Sequence, residues 1–384
     1  MNSTSSFAFE ECACDDAAMA AFCLGIHARY QCRHAGACCQ NWTVPAEARI
    51  VQIVETQKLR RSGFSGTLFL PVDRPEGRSW TVARDAHDDC VFFERDAGRL
   101  CVLHREAGID ALPAACRHFP RKILRDARGT CISLSHFCPT AAGMLLTPGG
   151  LEIVEARPPL DLPPPLEGLD ARDALPPLVR PGLLCDVDGY QAWEQAGIAT
   201  FAREDLTSDQ SLNVIAAATD DIREWQPRAE TLRERVVRAF AAACPVEMAN
   251  ANAQKRAMEI VAALSAGRAA DIAPVDRFED RWAQHVAHHF APFERPMMNY
   301  LAARLFANWI AYQGRGLRSI VDWLWTCAAV VRHNVLERVL ESGSIPVERD
   351  FIEAVRTADL LLLHVLDTAA FAKHVAPMEG PDPR

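Results

Sequence analysis

The segment CRHAGACCQNW, residues 32–42, places Cys32, Cys38 and Cys39 within eight positions, two of them adjacent. Neighbouring side chains point to opposite sides of an extended strand or splay by about 100° on a helix, so adjacent thiols do not share one ordinary core role. Cys90, Cys101, Cys116, Cys131 and Cys138 follow within the next hundred residues. Thiolates are soft ligands that select zinc, copper(I) and iron–sulfur clusters, and four complete one site. Eleven of the fourteen cysteines precede residue 140. In a long chain without an export signal, such clustering points to metal ligation rather than disulfides. Cys185, Cys244 and Cys327 are scattered through the remainder and are expected as small buried apolar residues.

These thiols sit in recognisable local settings. CVFFERDAGRLCVLH predicts a short hairpin around an Asp-Ala-Gly turn, with Cys90 and Cys101 flanking its open end. Cys116 lies in a loop restrained by Pro113 and Pro120, and Cys138 precedes Pro139. TCISLSHFCP predicts a short strand that carries Cys131. VPAEARIVQIVETQKLRRSG predicts a helix opened by Pro45 and closed at Gly63. No C-x2-C ribbon and no C-x3-C-x2-C run is present, so spacing alone does not identify the metal.

With 384 residues, two domains are the default expectation. Residues 157–182 are proline-rich, which halts both helix and sheet. Beyond them the 3.6-residue period recurs. Ser208 or Asp209 is a candidate N-cap, Pro227 a candidate first-turn residue, and amphipathic segments cover residues 249–266, 274–290, 295–313, 316–342 and 348–375. The expected architecture is mainly α: a small mixed α/β cysteine-cluster metal domain over 1–150, a proline-rich linker over 151–185 and an α-helical domain over 186–384. Short strands and long loops in the first unit suit a fold tied together by metal.

Composition is ordinary for a globular protein, with 49% hydrophobic and 24% charged residues. A formal charge of −9 argues against a nucleic-acid partner held by bulk electrostatics. No uninterrupted apolar run approaches the roughly 18 residues of a membrane span. The N-terminal segment lacks a basic start and carries acids, so a soluble cytoplasmic protein is expected.

CRHAGACC with Trp42 three residues further on, the run G-x-x-x-L-P-x-x-C-x-x-F-P-R of residues 108–121, and S-L-S…C-P of residues 133–139 resemble the zinc- or iron-chelating cysteine-cluster family. More closely, they resemble the branch that includes flagellin lysine-N-methylase. The likeness extends into FERPMMNYLAARLFANWI, residues 293–310. It implies a zinc or iron–sulfur site with Cys32, Cys38, Cys39, Cys90, Cys101, Cys116 and Cys138 as ligands. In that branch it also implies methyl transfer from S-adenosylmethionine to lysine ε-amines of a protein substrate such as flagellin. The chain departs from the family at Ala35, beside Gly36, where a further cysteine is usual, and His34 is a candidate replacement. Cys131 is a weaker candidate on its apolar strand, while Cys12, Cys14 and Cys23 precede the matched region. The alternative is a non-catalytic chelator using the same cysteines, and a third reading is a redox sensor.

CRHFPRKILRDAR, residues 116–128, holds four arginines and a lysine against one acid. It either offsets thiolate charge, or holds a carboxylate or an acidic partner, or is a solvated basic face. Arg117 and Arg121 fall inside the matched motif and are the candidates to hold the S-adenosylmethionine carboxylate or the acidic flank of a protein substrate, in a cleft expected between the two halves. His285 with His288 or His289 has metal-ligand spacing but lacks the Glu of H-E-x-x-H, so a surface role is expected. No glycine-rich nucleotide loop is visible, and no catalytic base is identified.

Overall fold

The computed structural model describes residues 20–33, 36, 39–40, 42–74, 77–95, 100–147, 149–156, 168–245, 253–265, 275–313 and 315–375. Cys12, Cys14, His34, Ala35, Cys38 and the proline-rich residues 157–167 lie outside them. The architecture is mainly α with a mixed α/β part. Among the described residues, no helix is long and apolar enough to cross a membrane.

In the N-terminal part the strands are β1 (Ala21–Leu24), β2 (Pro45–Ala46), β3 (Phe69–Arg74), β4 (Gly77–Val82), β5 (Phe93–Glu94), β6 (Leu100–Cys101), β7 (Arg121–Asp126), β8 (Gly129–Leu134) and β9 (Ile153–Glu155). Its helices are α1 (Ala48–Gln57), α2 (Val102–Ala107), α3 (Ala114–His118) and α4 (Pro139–Met144). The expected linker contains β9 and contributes β10 (Leu169–Asp170), β11 (Leu178–Arg180) and β12 (Leu183–Leu184) as well, so its prolines do not exclude strands.

Helix α1 is shorter than predicted. Pro45 pairs with Thr81 at the edge of the sheet β2-β4-β3, where its missing N–H costs nothing. The helix ends where Lys58 turns left-handed at φ 55°, well before Gly63. A five-stranded sheet of order β10-β7-β8-β1-β9 carries β8, buried along its whole length. The predicted hairpin is present as β5 and β6, with Phe93 opposite Cys101.

The helical part comprises α5 (Val187–Ala202), α6 (Ser208–Arg223), α7 (Leu232–Ala242), α8 (Ala253–Ser265), α9 (Phe278–His285), α10 (Ala291–Leu305), α11 (Leu317–Ser342), α12 (Glu348–Asp359) and α13 (Thr368–Val375). A π-helical turn, Leu360–Val365, separates the last two. Helices α6 and α7 open on capping boxes, Thr207 with Gln210 and Thr231 with Glu234. Each cap satisfies orphan N–H groups and is worth about 1 kcal/mol. These caps displace the predicted Ser208, Asp209 and Pro227 starts, because a reciprocal Thr/Gln or Thr/Glu pair satisfies two donors and Pro227 none. The long α11 is packed by α6, α8, α9, α10 and α12, which explains why it is apolar around much of its circumference.

One large core joins sheet and bundle: Leu24, Leu124 and Cys131 pack in the same cluster as Trp193, Leu301 and Val330. Arg128 strengthens the join, meeting Asp126 at 2.7 Å and Glu194 at 2.6 Å while nearly buried. Cys185 and Cys327 are buried as expected. Cys244 is exposed, contrary to expectation, because it lies two residues beyond the end of α7 rather than on its buried face. His288 and His289 are exposed.

Candidate functional site

The loop of the opening cysteine cluster turns at Gly36, whose φ of +79° favours glycine over any residue with a Cβ. The Cys39 N–H donates to the Gly36 carbonyl at 3.0 Å, closing that turn. Cys90 N–H then donates to the Cys39 carbonyl at 2.8 Å, which brings the cysteine at the hairpin mouth beside the loop. Across the hairpin, Cys101 pairs with Phe93, which itself bonds back to the Cys90 carbonyl at 2.9 Å. Cys116 is carried by α3, whose first N–H, Ala114, is capped by Glu47 Oε1 at 2.9 Å. Cys39 and Cys90, both buried, and Cys101 and Cys116, both half-buried, belong to one apolar cluster with Val91, Phe92 and Trp42.

A second neighbourhood forms around Tyr30. Its hydroxyl lies 3.5 Å from Cys138 Sγ. The Arg121 guanidinium stands 5.4 Å from the centre of the Tyr30 ring. Burial lowers the Arg121 pKa, opposed by Tyr30, Cys32 and Cys138, and burial followed by Cys138 and Cys32 raises that of Tyr30. Exposed Cys32 therefore belongs electrostatically with Cys138. The two neighbourhoods are linked by rings: Trp42 packs on the first, Phe119 on the second, and their centroids are 5.8 Å apart. His364 from the π turn closes over both, 5.1 Å from Trp42 and 6.1 Å from Phe119.

Of the seven expected ligands, four gather in the first group, Cys32 and Cys138 in the second, and Cys38 lies outside the described residues. Among the described residues, no group of three His, Cys, Asp or Glu side chains is placed to hold a metal ion. The donor chemistry, soft thiols in an apolar pocket, fits zinc or iron–sulfur ligation; the described side chains alone do not close such a site. Arg117 on α3 follows Cys116 directly, and the Nε atoms of Arg117 and Arg121 are both buried without a hydrogen-bond partner. Cys131 faces the large core, where burial pushes its thiol up to about 12, unsuited to ligation or reactivity. Cys23 is likewise buried and pushed up to about 11.

Sequence spacing did not reveal a buried polar chain beside these thiols. His27 Nε2 lies 3.1 Å from His136 Nε2, and His136 Nδ1 lies 3.3 Å from Asp359 Oδ2. Asp359 also accepts from Tyr300 Oη at 2.9 Å and from the His136 backbone N–H, with Arg304 Nη1 3.4 Å away. Ser135 Oγ lies 2.8 Å from His364 Nε2. Burial lowers the pKa of His27 and His136, and burial followed by the nearby Lys122 charge holds His364 at about 4, so all three imidazoles are neutral. The signal that could have found this chain is Arg304, the one charge in the stretch MMNYLAARL, residues 297–305, four residues after Tyr300.

The fold defines a helix-rich protein whose mixed α/β part carries two groups of thiols. Compared with family models, with curated proteins and with solved structures, the chain matches none.

Proposed function

We propose that this chain is a metal- or iron–sulfur-dependent protein lysine N-methyltransferase of the flagellin-methylase type. The observation that supports it is the gathering of Cys39, Cys90, Cys101 and Cys116 with Trp42 in one cluster, from positions 39 to 116, in the order the resembled family uses. Zinc or an iron–sulfur cluster would be held by these cysteines with Cys38, and would tie the short strands of this unit together. Reduced thiols of this kind suit a cytoplasmic protein. Arg117 and Arg121 supply positive charge beside Cys116 and Cys138, suited to the carboxylate of S-adenosylmethionine. The acceptor lysine must lose its proton before it attacks a methyl group, so its pocket has to be dry or furnish a base.

The test is transfer of labelled methyl from S-adenosylmethionine to flagellar filament proteins, with calorimetric titration of the cofactor and metal analysis on the same preparation. Methyl transfer that falls with metal removal supports the proposal. Metal bound without cofactor affinity or transfer supports the non-catalytic chelator that shares the same cysteines.

A further inference from the structure

A small open cleft is lined by Lys122, Ser133, Arg304, Asn308, Trp309 and Thr368 among others, and by no cysteine. Lys122 Nζ sits 3.9 Å from the centre of the Trp309 ring, and no carboxylate among the described residues pairs with it. Arg304, 4% exposed, turns Nη1 to Asp359 and Nη2 to the Leu134 carbonyl, leaving Nε buried without an acceptor. The Trp309 indole Nε1 is buried without an acceptor as well. A buried donor left unmade is costly, and here two occur around one cleft.

The charges do not balance. Lys122 and Arg304 are two cations, Asp359 one anion already bound by Tyr300, His136 and Arg304, and His364 is neutral, leaving one positive charge in surplus. What is missing is a species that only accepts hydrogen bonds and carries one negative charge. Trp323, Phe306 and Leu363 in the same lining offer apolar surface to the rest of it.

We propose that this cleft binds a small monocarboxylate, whose oxygens accept hydrogen bonds from Lys122 Nζ and the Trp309 indole N–H. The site is separate from the thiolate cluster and stands whether or not the chain transfers methyl groups. Burial, followed by the Arg304 charge, lowers Lys122 to about 8, and an anion beside the ammonium opposes that shift.

The experiment is calorimetric titration of the full-length protein with sodium acetate, sodium pyruvate and inorganic phosphate. Saturable one-to-one binding of acetate or pyruvate is expected, weakened at least about tenfold by Lys122→Met and by a smaller factor of about three by Trp309→Phe, which keeps the ring and removes only the N–H. Both variants should keep the metal content of the wild type. Absence of saturable carboxylate binding up to about 50 mM overturns the proposal. So does unchanged affinity in Lys122→Met, or tighter binding of phosphate than of either carboxylate. If Lys122→Met does not fold, Trp309→Phe decides alone, and unchanged affinity there overturns the proposal.

Discussion

Exchanging Asp359 for asparagine tests the buried polar chain most sharply. The substitution keeps the side-chain volume and one acceptor oxygen for Tyr300 Oη, now 2.9 Å from Oδ1, but removes the charge. Arg304, with its side chain 3% exposed, is then a buried guanidinium without its carboxylate. Breaking a buried pair from one side costs about 3–5 kcal/mol, because the remaining charge is uncompensated. The new amide N–H₂ also faces the His136 backbone N–H, which loses its acceptor; an unmade buried donor costs about 1–3 kcal/mol. These penalties overlap, giving about 4 kcal/mol in all, a large share of the 5–15 kcal/mol typical of a folded domain. Urea unfolding followed by circular dichroism measures the loss. Arg304→Met in the Asp359→Asn background should restore about 2 kcal/mol of it, since the guanidinium left without its carboxylate is gone. A loss below about 1 kcal/mol for Asp359→Asn, or strictly additive effects in the double variant, would refute the argument.

Acid should destabilise the protein well above the carboxylate range. The folded pKa of His364 is about 4 against about 6.5 unfolded, so its contribution is complete above pH 6.5 and is lost as pH falls toward 4. That shift corresponds to about 3 kcal/mol, and buried His27 and His136 act with the same sign. A melting temperature that stays flat from about pH 7 to 4.5 would contradict it. Gly189→Ala should cost about 1–3 kcal/mol, since a Cβ there falls 2.4 Å from Leu232 Cγ at the α5–α7 contact; an unchanged melting temperature would show that the contact yields freely. Replacing Arg117 and Arg121 together by alanine should abolish labelled-methyl transfer or weaken S-adenosylmethionine binding while metal stays bound, and full activity would exclude them as cofactor ligands.

Helices were legible where burial follows the 3.6-residue period, as in α12. Their starts were not, because Thr207 and Thr231 act through a partner three residues on, and the notice a proline attracts at Pro227 outweighed that pairing. The hairpin holding Cys90 and Cys101 could be read from local apolar runs. The five-stranded sheet could not: it joins β1 to β9 and β7 to β10 by long-range pairs only two or three residues long. Cys90 and Cys101 come together because their hairpin is local, whereas Cys39 and Cys116 reach the same cluster through long-range contacts. Cys138 stands with Tyr30 instead, since β7 and β8 carry it away from the hairpin. Asp359 and His136 left no trace in spacing, because their meeting depends on the bundle folding against the sheet.

Metal content of anaerobically purified protein, by elemental analysis with visible absorption, bears most directly on the central proposal. Wild-type protein should carry zinc or iron, and Cys39→Ala or Cys116→Ala should lower metal content and melting temperature together, while Cys327→Ala leaves metal content unchanged. Protein that is metal-free yet fully folded, or equal metal loss in all three variants, would contradict it.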